Sequence, residues 1–193
     1  MVRPMILKFA LGVVGALLCT CIAFAHVTLE TAQAQVGSGY KAVLRVGHGC
    51  EGSPTTAIRI RIPEGIVAVK PMPKPGWKLD VVTGKYPKTY NLAHGVKMSE
   101  GVTEISWSGG NLPEAFYDEF VFTATIADDM KAGQAVYFPT VQQCEKGVHR
   151  WIEIPPAGAP GHGGAEAGEP APALMLVPRP ARGAPAGAPA QRH

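Results

Sequence analysis

The chain lacks a strong charge of either sign and has few aromatic residues. Its 193 residues carry 18 Lys and Arg against 15 Asp and Glu, a formal net charge of +3, and only 7% are Phe, Trp or Tyr. A positive charge this small and scattered does not supply the many phosphate contacts that nucleic-acid binding requires. The sequence therefore predicts no nucleic-acid partner.

Familiar catalytic motifs are missing as well. The chain contains no nucleophile elbow, no metal-binding helix motif and no phosphate-binding loop. These absences exclude the common hydrolases and nucleotide-dependent enzymes, and we expect the protein not to be an enzyme.

The first 25 residues have the pattern of a secretory signal peptide. Arg3 and Lys8 precede an almost purely apolar run, which closes with the small-residue pattern Ala23-Phe24-Ala25. Because the run is short for a membrane span, we favour cleavage over a retained anchor. The sequence thus predicts an exported protein, periplasmic or secreted, whose mature chain begins at His26 and has no stable membrane span.

Cleavage would leave only two of the four cysteines, Cys50 and Cys144. An even number in an oxidising compartment favours one disulfide, here closing a loop of about 95 residues. Neither cysteine belongs to a CxxC motif, which also favours the disulfide. A pair of copper thiolates is the alternative.

Apolar residues recur with a period of two from Tyr40 onward, as is typical of half-buried strands. No window of comparable length shows a helical stripe, and turn motifs rich in Gly and Pro separate the segments. Eight segments share the alternating pattern: 40–46, 58–62, 67–69, 77–81, 103–107, 120–126, 135–141 and 148–154. We predict an all-β fold, an antiparallel β-sandwich that is immunoglobulin-like or cupredoxin-like.

The composition changes abruptly after Ile154. Residues 155–193 number 39, of which 27 are Ala, Pro or Gly, and such a composition cannot bury a core. We predict a single domain over residues 26–155 followed by a disordered tail over residues 156–193. The short apolar run at 173–177 is too brief to cross a membrane, so we interpret it as part of a spacer.

A mature chain that begins at His26 would carry two nitrogen ligands on one residue. The free amine and the imidazole Nδ1 can close a six-membered chelate, and such donors favour Cu(II) among the divalent first-row metals. Both must be deprotonated to bind, so affinity should fall as the pH drops. A chance histidine at the cleavage site is the alternative interpretation.

Six short motifs strengthen the copper hypothesis through their order along the chain. They are His26-Val27-Thr28, Gly76-Trp77-Lys78, Ser106-Trp107-Ser108-Gly109-Gly110, Tyr117-Asp118-Glu119-Phe120, Phe138-Pro139-Thr140-Val141 and Arg150-Trp151-Ile152. Together they resemble the YcnI-like copper-binding domain family, from residue 26 to about residue 155.

The resemblance implies an extracytoplasmic β-sandwich that binds Cu(II) through a monohistidine brace, with a tryptophan close to the metal. These roles map onto His26 and Trp151. An indole N–H has no lone pair to give, so we interpret Trp151 as a hydrophobic wall beside the ion. Ordinary packing is the alternative role for this tryptophan.

The remaining copper ligands stay open at this stage. Tetragonal Cu(II) needs further equatorial donors, and we expect His149 only to neighbour the site. His48 would complete a two-histidine brace like that of oxidative polysaccharide-cleaving enzymes, but the chain has no broad aromatic platform for such a substrate. The candidates are Glu30, Gln33, His48, Asp118, Glu119, Glu153 and water.

The sequence therefore predicts an extracytoplasmic Cu(II)-binding protein of copper trafficking or homeostasis. Its partner is the copper ion, and whether it also meets another envelope copper protein stays open. Two alternatives remain, a copper-dependent oxidative enzyme and a metal-free interaction module of the cell envelope.

Overall fold

The computed structural model describes residues 26–92, 95–156 and 168–180. The predicted signal peptide over residues 1–25 lies outside these ranges. Twelve strands and no α-helix occur within them, and no described helix is long or apolar enough to span a membrane. The strands are β1 (Thr28–Leu29), β2 (Gln33–Gln35), β3 (Gly39–Val46), β4 (Thr55–Arg61), β5 (Ile66–Pro71), β6 (Lys78–Asn91), β7 (Lys97–Leu112), β8 (Asp118–Ile126), β9 (Ala135–Tyr137), β10 (Thr140–Cys144), β11 (Val148–Trp151) and β12 (Ala173–Val177).

Two antiparallel sheets form the two layers of a sandwich, as predicted. One has four strands in the order β1-β3-β8-β5, and the other has five in the order β11-β10-β4-β7-β6. Their inward side chains belong to one apolar core, and the rings of Trp107 and Phe120 meet across it with centroids 5.5 Å apart. The predicted all-β sandwich is therefore confirmed.

The period-two pattern builds this core because successive side chains of a strand point to opposite faces. In β4, Ile58 and Ile60 are completely buried, whereas Arg59 and Arg61 are exposed. Burial of each isoleucine stabilises the fold by roughly 1.5–3 kcal/mol relative to an exposed position. The same alternation fixes the register of β4 against β7, since a slip of one residue would bury the arginines.

Strands β6 and β7 are longer than the segments predicted at 77–81 and 103–107. They have 14 and 16 residues, and their antiparallel pairing runs from Lys78 with Ser108 to Asn91 with Lys97. Much of β6 is exposed, including Val81 and Val82. An exposed ribbon needs no alternation of apolar residues, so the pattern detected only part of each strand.

The predicted end of the domain at residue 155 is wrong. Strand β12, within the segment predicted to be a disordered spacer, is the central strand of a third sheet with the order β2-β12-β9, which we call the closing sheet. It runs parallel to β2 and antiparallel to β9. Leu174 and Leu176 are completely buried while Met175 between them is exposed. This strand therefore alternates in burial like the others, but the Ala, Pro and Gly around it hide the pattern in the sequence.

The side chain of Tyr40 connects the four-stranded sheet to the segment just before β2. Its hydroxyl donates a hydrogen bond to the carbonyl of Thr31 at 2.7 Å. Burial raises the pKa of Tyr40 to about 12, because the charged phenolate is poorly solvated there. The hydroxyl therefore stays a donor throughout the physiological pH range.

Candidate metal site along strand β11

Three histidines and a tryptophan form a row of rings beside the edge strand β11. The centroids of His26 and Trp151 lie 5.3 Å apart with the planes at 60°, and those of Trp151 and His149 lie 5.0 Å apart at 31°. His149 and His48 follow at 6.0 Å and 85°. We call this row, together with Gln142 beside it, the histidine end.

The strand register explains why Trp151 and His149 share this row. Strand β11 pairs antiparallel with β10, so that Trp151 lies opposite Thr140 and His149 opposite Gln142. Residues two apart on a strand point to the same face. Trp151 is only 5% exposed and belongs to the core, whereas the side chain of His149 is 24% exposed. The row thus runs from the core towards solvent.

His26 and Trp151, which the sequence analysis assigned to the metal, are brought together by the fold. His26 is the first described residue and is partly buried, and Val27 after it is buried in the core. Burial of Val27 and the pairing of β1 with β3 anchor the terminal segment against the sandwich. The imidazole of His26 is thereby held in contact with the indole ring.

Gln142 fixes the orientation of Trp151. It is 1% exposed, and its Oε1 accepts a hydrogen bond from the Trp151 indole Nε1–H at 3.0 Å. Its Nε2 donates to the carbonyl of His48 at 2.6 Å and to the Thr55 hydroxyl at 2.8 Å. A buried glutamine whose donors and acceptor are all used is held in one orientation. The indole N–H is therefore committed to Gln142, which leaves the ring as a wall beside His26.

Gln142 was not among the residues predicted from the sequence. Its position was accessible in principle, because the burial of β10 alternates and places Thr140, Gln142 and Cys144 on the inward side. An amide side chain at an inward position of a core strand needs buried partners. Only the fold identifies those partners, since they come from three other segments of the chain.

The predicted disulfide joins Cys50 to Cys144 with a Cα–Cα distance of 6.0 Å and a sequence separation of 94 residues. It lies next to the histidine end, because Cys50 follows His48 by two residues and Cys144 follows Gln142 by two. Gly49 in between donates its N–H to Glu114 Oε2 at 2.7 Å. A Cβ at Gly49 would collide with the carbonyl of Ser53, so this tight turn requires glycine.

Both outer histidines are held through their Nδ1 atoms. Nδ1 of His149 lies 2.5 Å from Oε1 of Glu169, and the other oxygen of this carboxylate accepts the N–H of Arg150 at 2.6 Å. Nδ1 of His48 lies 2.5 Å from the carbonyl of Gly49 and 4.0 Å from Glu114 Oε1. The sequence analysis missed Glu169 because it lies in the segment that was predicted to be disordered.

Two of the candidate carboxylate ligands are engaged in ion pairs. Asp118 lies 2.6 Å from the ammonium of Lys74 and also accepts the backbone N–H of Glu119. Glu119 lies 3.9 Å from the Arg45 guanidinium. Asp118 is thus engaged on two sides, whereas the long, exposed ion pair of Glu119 is weak, and the role of either as a copper ligand stays a prediction.

The other candidates lie on short, mostly exposed segments. Glu30 follows β1 and Gln33 begins β2, and both side chains are exposed. Glu153 forms an isolated bridge with Pro170 and so connects the end of β11 to the segment that leads into β12. The prediction of their roles as ligands stays open.

A brace at the histidine end would draw its donors from His26 and not from a cluster of side chains. Among the described residues, no group of three or more His, Cys, Asp or Glu side chains could hold a metal ion. A monohistidine brace does not need such a cluster, because His26 would supply both the amine and the imidazole nitrogen. The contact of His26 with the Trp151 ring is compatible with such a brace.

Comparisons with known proteins agree with this fold. A family model described as a domain of unknown function, DUF1775, matches residues 26–176, a range that includes all but the last residue of β12. The chain is similar to an uncharacterized protein from Nocardia farcinica whose crystal structure reveals an immunoglobulin-like fold. The two are 24% identical, the match covers 79% of this chain and 99% of that chain, and the TM-score is 0.55. A search of curated proteins found no match.

Proposed function

The chain belongs to the DUF1775 family, the YcnI-like family, and from this premise we propose that it binds Cu(II) outside the cytoplasm through the amine and imidazole of His26. The contact between the His26 and Trp151 rings, 5.3 Å between centroids, is the observation that carries the proposal. It pairs the residue that can chelate with the aromatic wall that the family resemblance implies.

The chemistry of the proposed site follows from its two nitrogen donors. Both nitrogens must give up their protons to bind Cu(II), so binding competes with protons and weakens as the pH falls. The Trp151 ring packs against the imidazole at 60° and would limit access of water from that direction. Because Gln142 holds the indole N–H, the wall keeps its orientation when the metal binds or leaves.

The proposed role is to hold or deliver copper in the cell envelope, without catalysis. It requires export and removal of residues 1–25, so that the amine of His26 becomes free. The copper ion is then cargo that the protein can pass to another envelope copper protein.

The deciding experiment compares the mature chain with the same chain acetylated at the amine of His26. Calorimetry and electron paramagnetic resonance should find one tightly bound Cu(II) with nitrogen hyperfine structure in the native chain. The acetylated chain should bind at least about 100-fold more weakly, because the amide nitrogen that replaces the amine is a poor donor. A chain taken through the same treatment without the acetyl donor is the matched control and should behave like the native chain.

Three results would contradict the proposal. Equal Cu(II) affinity in the native and acetylated chains would exclude the brace. Absence of stoichiometric copper from both would favour the metal-free interaction module instead. Peroxide-dependent turnover of a polymer by the copper-loaded chain would favour the oxidative enzyme.

A further inference from the structure

We propose that His48 and His149 form a second metal site, which binds Cu(I). The two imidazole rings lie next to each other at the outer part of the histidine end, nearly perpendicular, with centroids 6.0 Å apart and planes at 85°. Their side chains are 26% and 24% exposed. The pair is therefore accessible to an ion from solvent and does not depend on a free chain terminus.

The hydrogen bonds of the two rings fix which nitrogen can bind a metal. Nδ1 of His48 lies 2.5 Å from the Gly49 carbonyl, and a carbonyl oxygen only accepts, so this nitrogen carries the proton. Nδ1 of His149 lies 2.5 Å from the Glu169 carboxylate, which likewise accepts when ionised. In both neutral rings the lone pair then resides on Nε2. Both histidines are thus held in the tautomer that binds metals through Nε2.

The distance between the rings fits one shared ion. A metal–nitrogen bond of about 2 Å at each ring places the centroids of two ligating imidazoles about 5 to 6.5 Å apart. The observed 6.0 Å lies within this range. A carboxylate that accepts the Nδ1–H of a ligating histidine orients the ring and strengthens its donor nitrogen. Glu169 occupies this position at His149.

Surrounding contacts keep the pair in place without a metal. The backbone of His48 is held by Gln142 through its carbonyl at 2.6 Å, and the disulfide of Cys50 closes the same turn. His149 lies on β11, opposite Gln142 in the register. A site held on a strand and a cross-linked turn loses little entropy when it binds an ion.

The number of donors selects the metal. Among the described residues, no group of three or more His, Cys, Asp or Glu is placed to hold one metal ion, and Glu169 is already engaged at Nδ1 of His149. Zn(II) sites usually take three or four protein ligands, whereas Cu(I) is satisfied by two nitrogen donors in a near-linear arrangement. Imidazole is a ligand that copper accepts readily. The two-histidine pair therefore suits Cu(I) better than Zn(II).

The test uses the mature chain acetylated at the amine of His26, which disables the brace. It is titrated with Cu(I) without oxygen, against a chromophoric Cu(I) chelator and with ascorbate as a reductant that spares the disulfide. We expect one equivalent of Cu(I) to bind. Each of H48Q and H149Q should weaken binding by at least about 100-fold and E169Q by about 10-fold. H94Q, the same replacement at a histidine outside the pair, should bind like the parent.

A second measurement needs no variant. Nitrogen-15 spectra of the imidazoles should show Nδ1–H tautomers for His48 and His149 before titration, and Cu(I) should shift the Nε2 signals of these two rings. Unchanged signals, or unchanged affinity in both H48Q and H149Q, would overturn the proposal. Tighter binding of Zn(II) than of Cu(I) would overturn the choice of metal. None of these outcomes bears on Cu(II) binding by the native terminus, so the two proposals fail separately.

Discussion

The histidine end and the closing sheet both join parts of the chain that are far apart in sequence, but by different interactions. At the histidine end, Gln142 connects β10 to the His48 turn and to Trp151 by hydrogen bonds, and the disulfide links the same turn and strand covalently. In the closing sheet, β12 is held by backbone pairing with β2 and β9 and by the buried Leu174 and Leu176.

This difference separates fixed geometry from general stability. Hydrogen bonds are directional, so a satisfied buried amide determines the orientation of the groups around it. Apolar contacts are less directional, and cores tolerate exchange of one apolar side chain for another of similar size. We therefore expect changes at the histidine end to alter metal binding, and changes in the closing sheet to alter stability alone.

The largest effect is expected from removal of the disulfide. In C50A/C144A, loss of the cross-link over 94 residues should lower the free energy of unfolding by about 4 kcal/mol, because the unfolded chain gains conformational freedom. Urea denaturation measures this change. The His48 turn also loses its covalent closure, so Cu(I) affinity of the folded variant should fall. Full Cu(I) affinity in the folded variant would show that hydrogen bonds alone hold the turn.

A cavity in the closing sheet should come next. L174A removes a completely buried side chain and should cost about 3 kcal/mol in the free energy of unfolding. M175A, at the exposed neighbouring position, is the matched control and should change stability by less than about 0.5 kcal/mol. Cu(II) affinity of both variants should equal that of the native chain well below the melting temperature. A loss of affinity in L174A alone would contradict the separation of the two regions.

The sandwich strands, the closing sheet and the histidine end also differ in how much of them the sequence predicts. The alternation of apolar and charged residues around Ile58 and Ile60 could be recognised in the sequence, because one face of β4 covers the core and the other meets solvent. Strand β12 carries the same alternation at Leu174 and Leu176, but its five residues lie among Ala, Pro and Gly that are typical of disorder. The composition of the whole segment therefore led to a prediction of disorder, although the local alternation of β12 is that of a strand.

At the histidine end, the sequence predicted residues but not their connections. His26 was predicted from the cleavage pattern of the signal peptide, which is a local feature. The cysteine pair was predicted from the number of cysteines that remain after cleavage. The roles of Gln142 and Glu169 depend on antiparallel register and on the return of the chain after residue 168, and a single sequence does not specify either. Trp151 entered only through a family resemblance, and its partner Gln142 required the fold.

Among the three destabilising variants, Q142M should lower the free energy of unfolding least, and it tests the comparison most directly. Methionine keeps the length of the side chain but leaves the Trp151 indole N–H and the His48 carbonyl without their buried partner, which should cost roughly 1–3 kcal/mol. Q143M is the matched control, because Gln143 is exposed on the same strand, and it should change stability by less than about 0.5 kcal/mol.

Freed from Gln142, the indole can reorient beside His26, so Cu(II) affinity should fall about 10-fold in Q142M. Although Q142M destabilises the chain less than L174A does, it alone of the two should weaken copper binding. Native Cu(II) affinity in Q142M would mean that packing, and not the amide, positions the tryptophan wall.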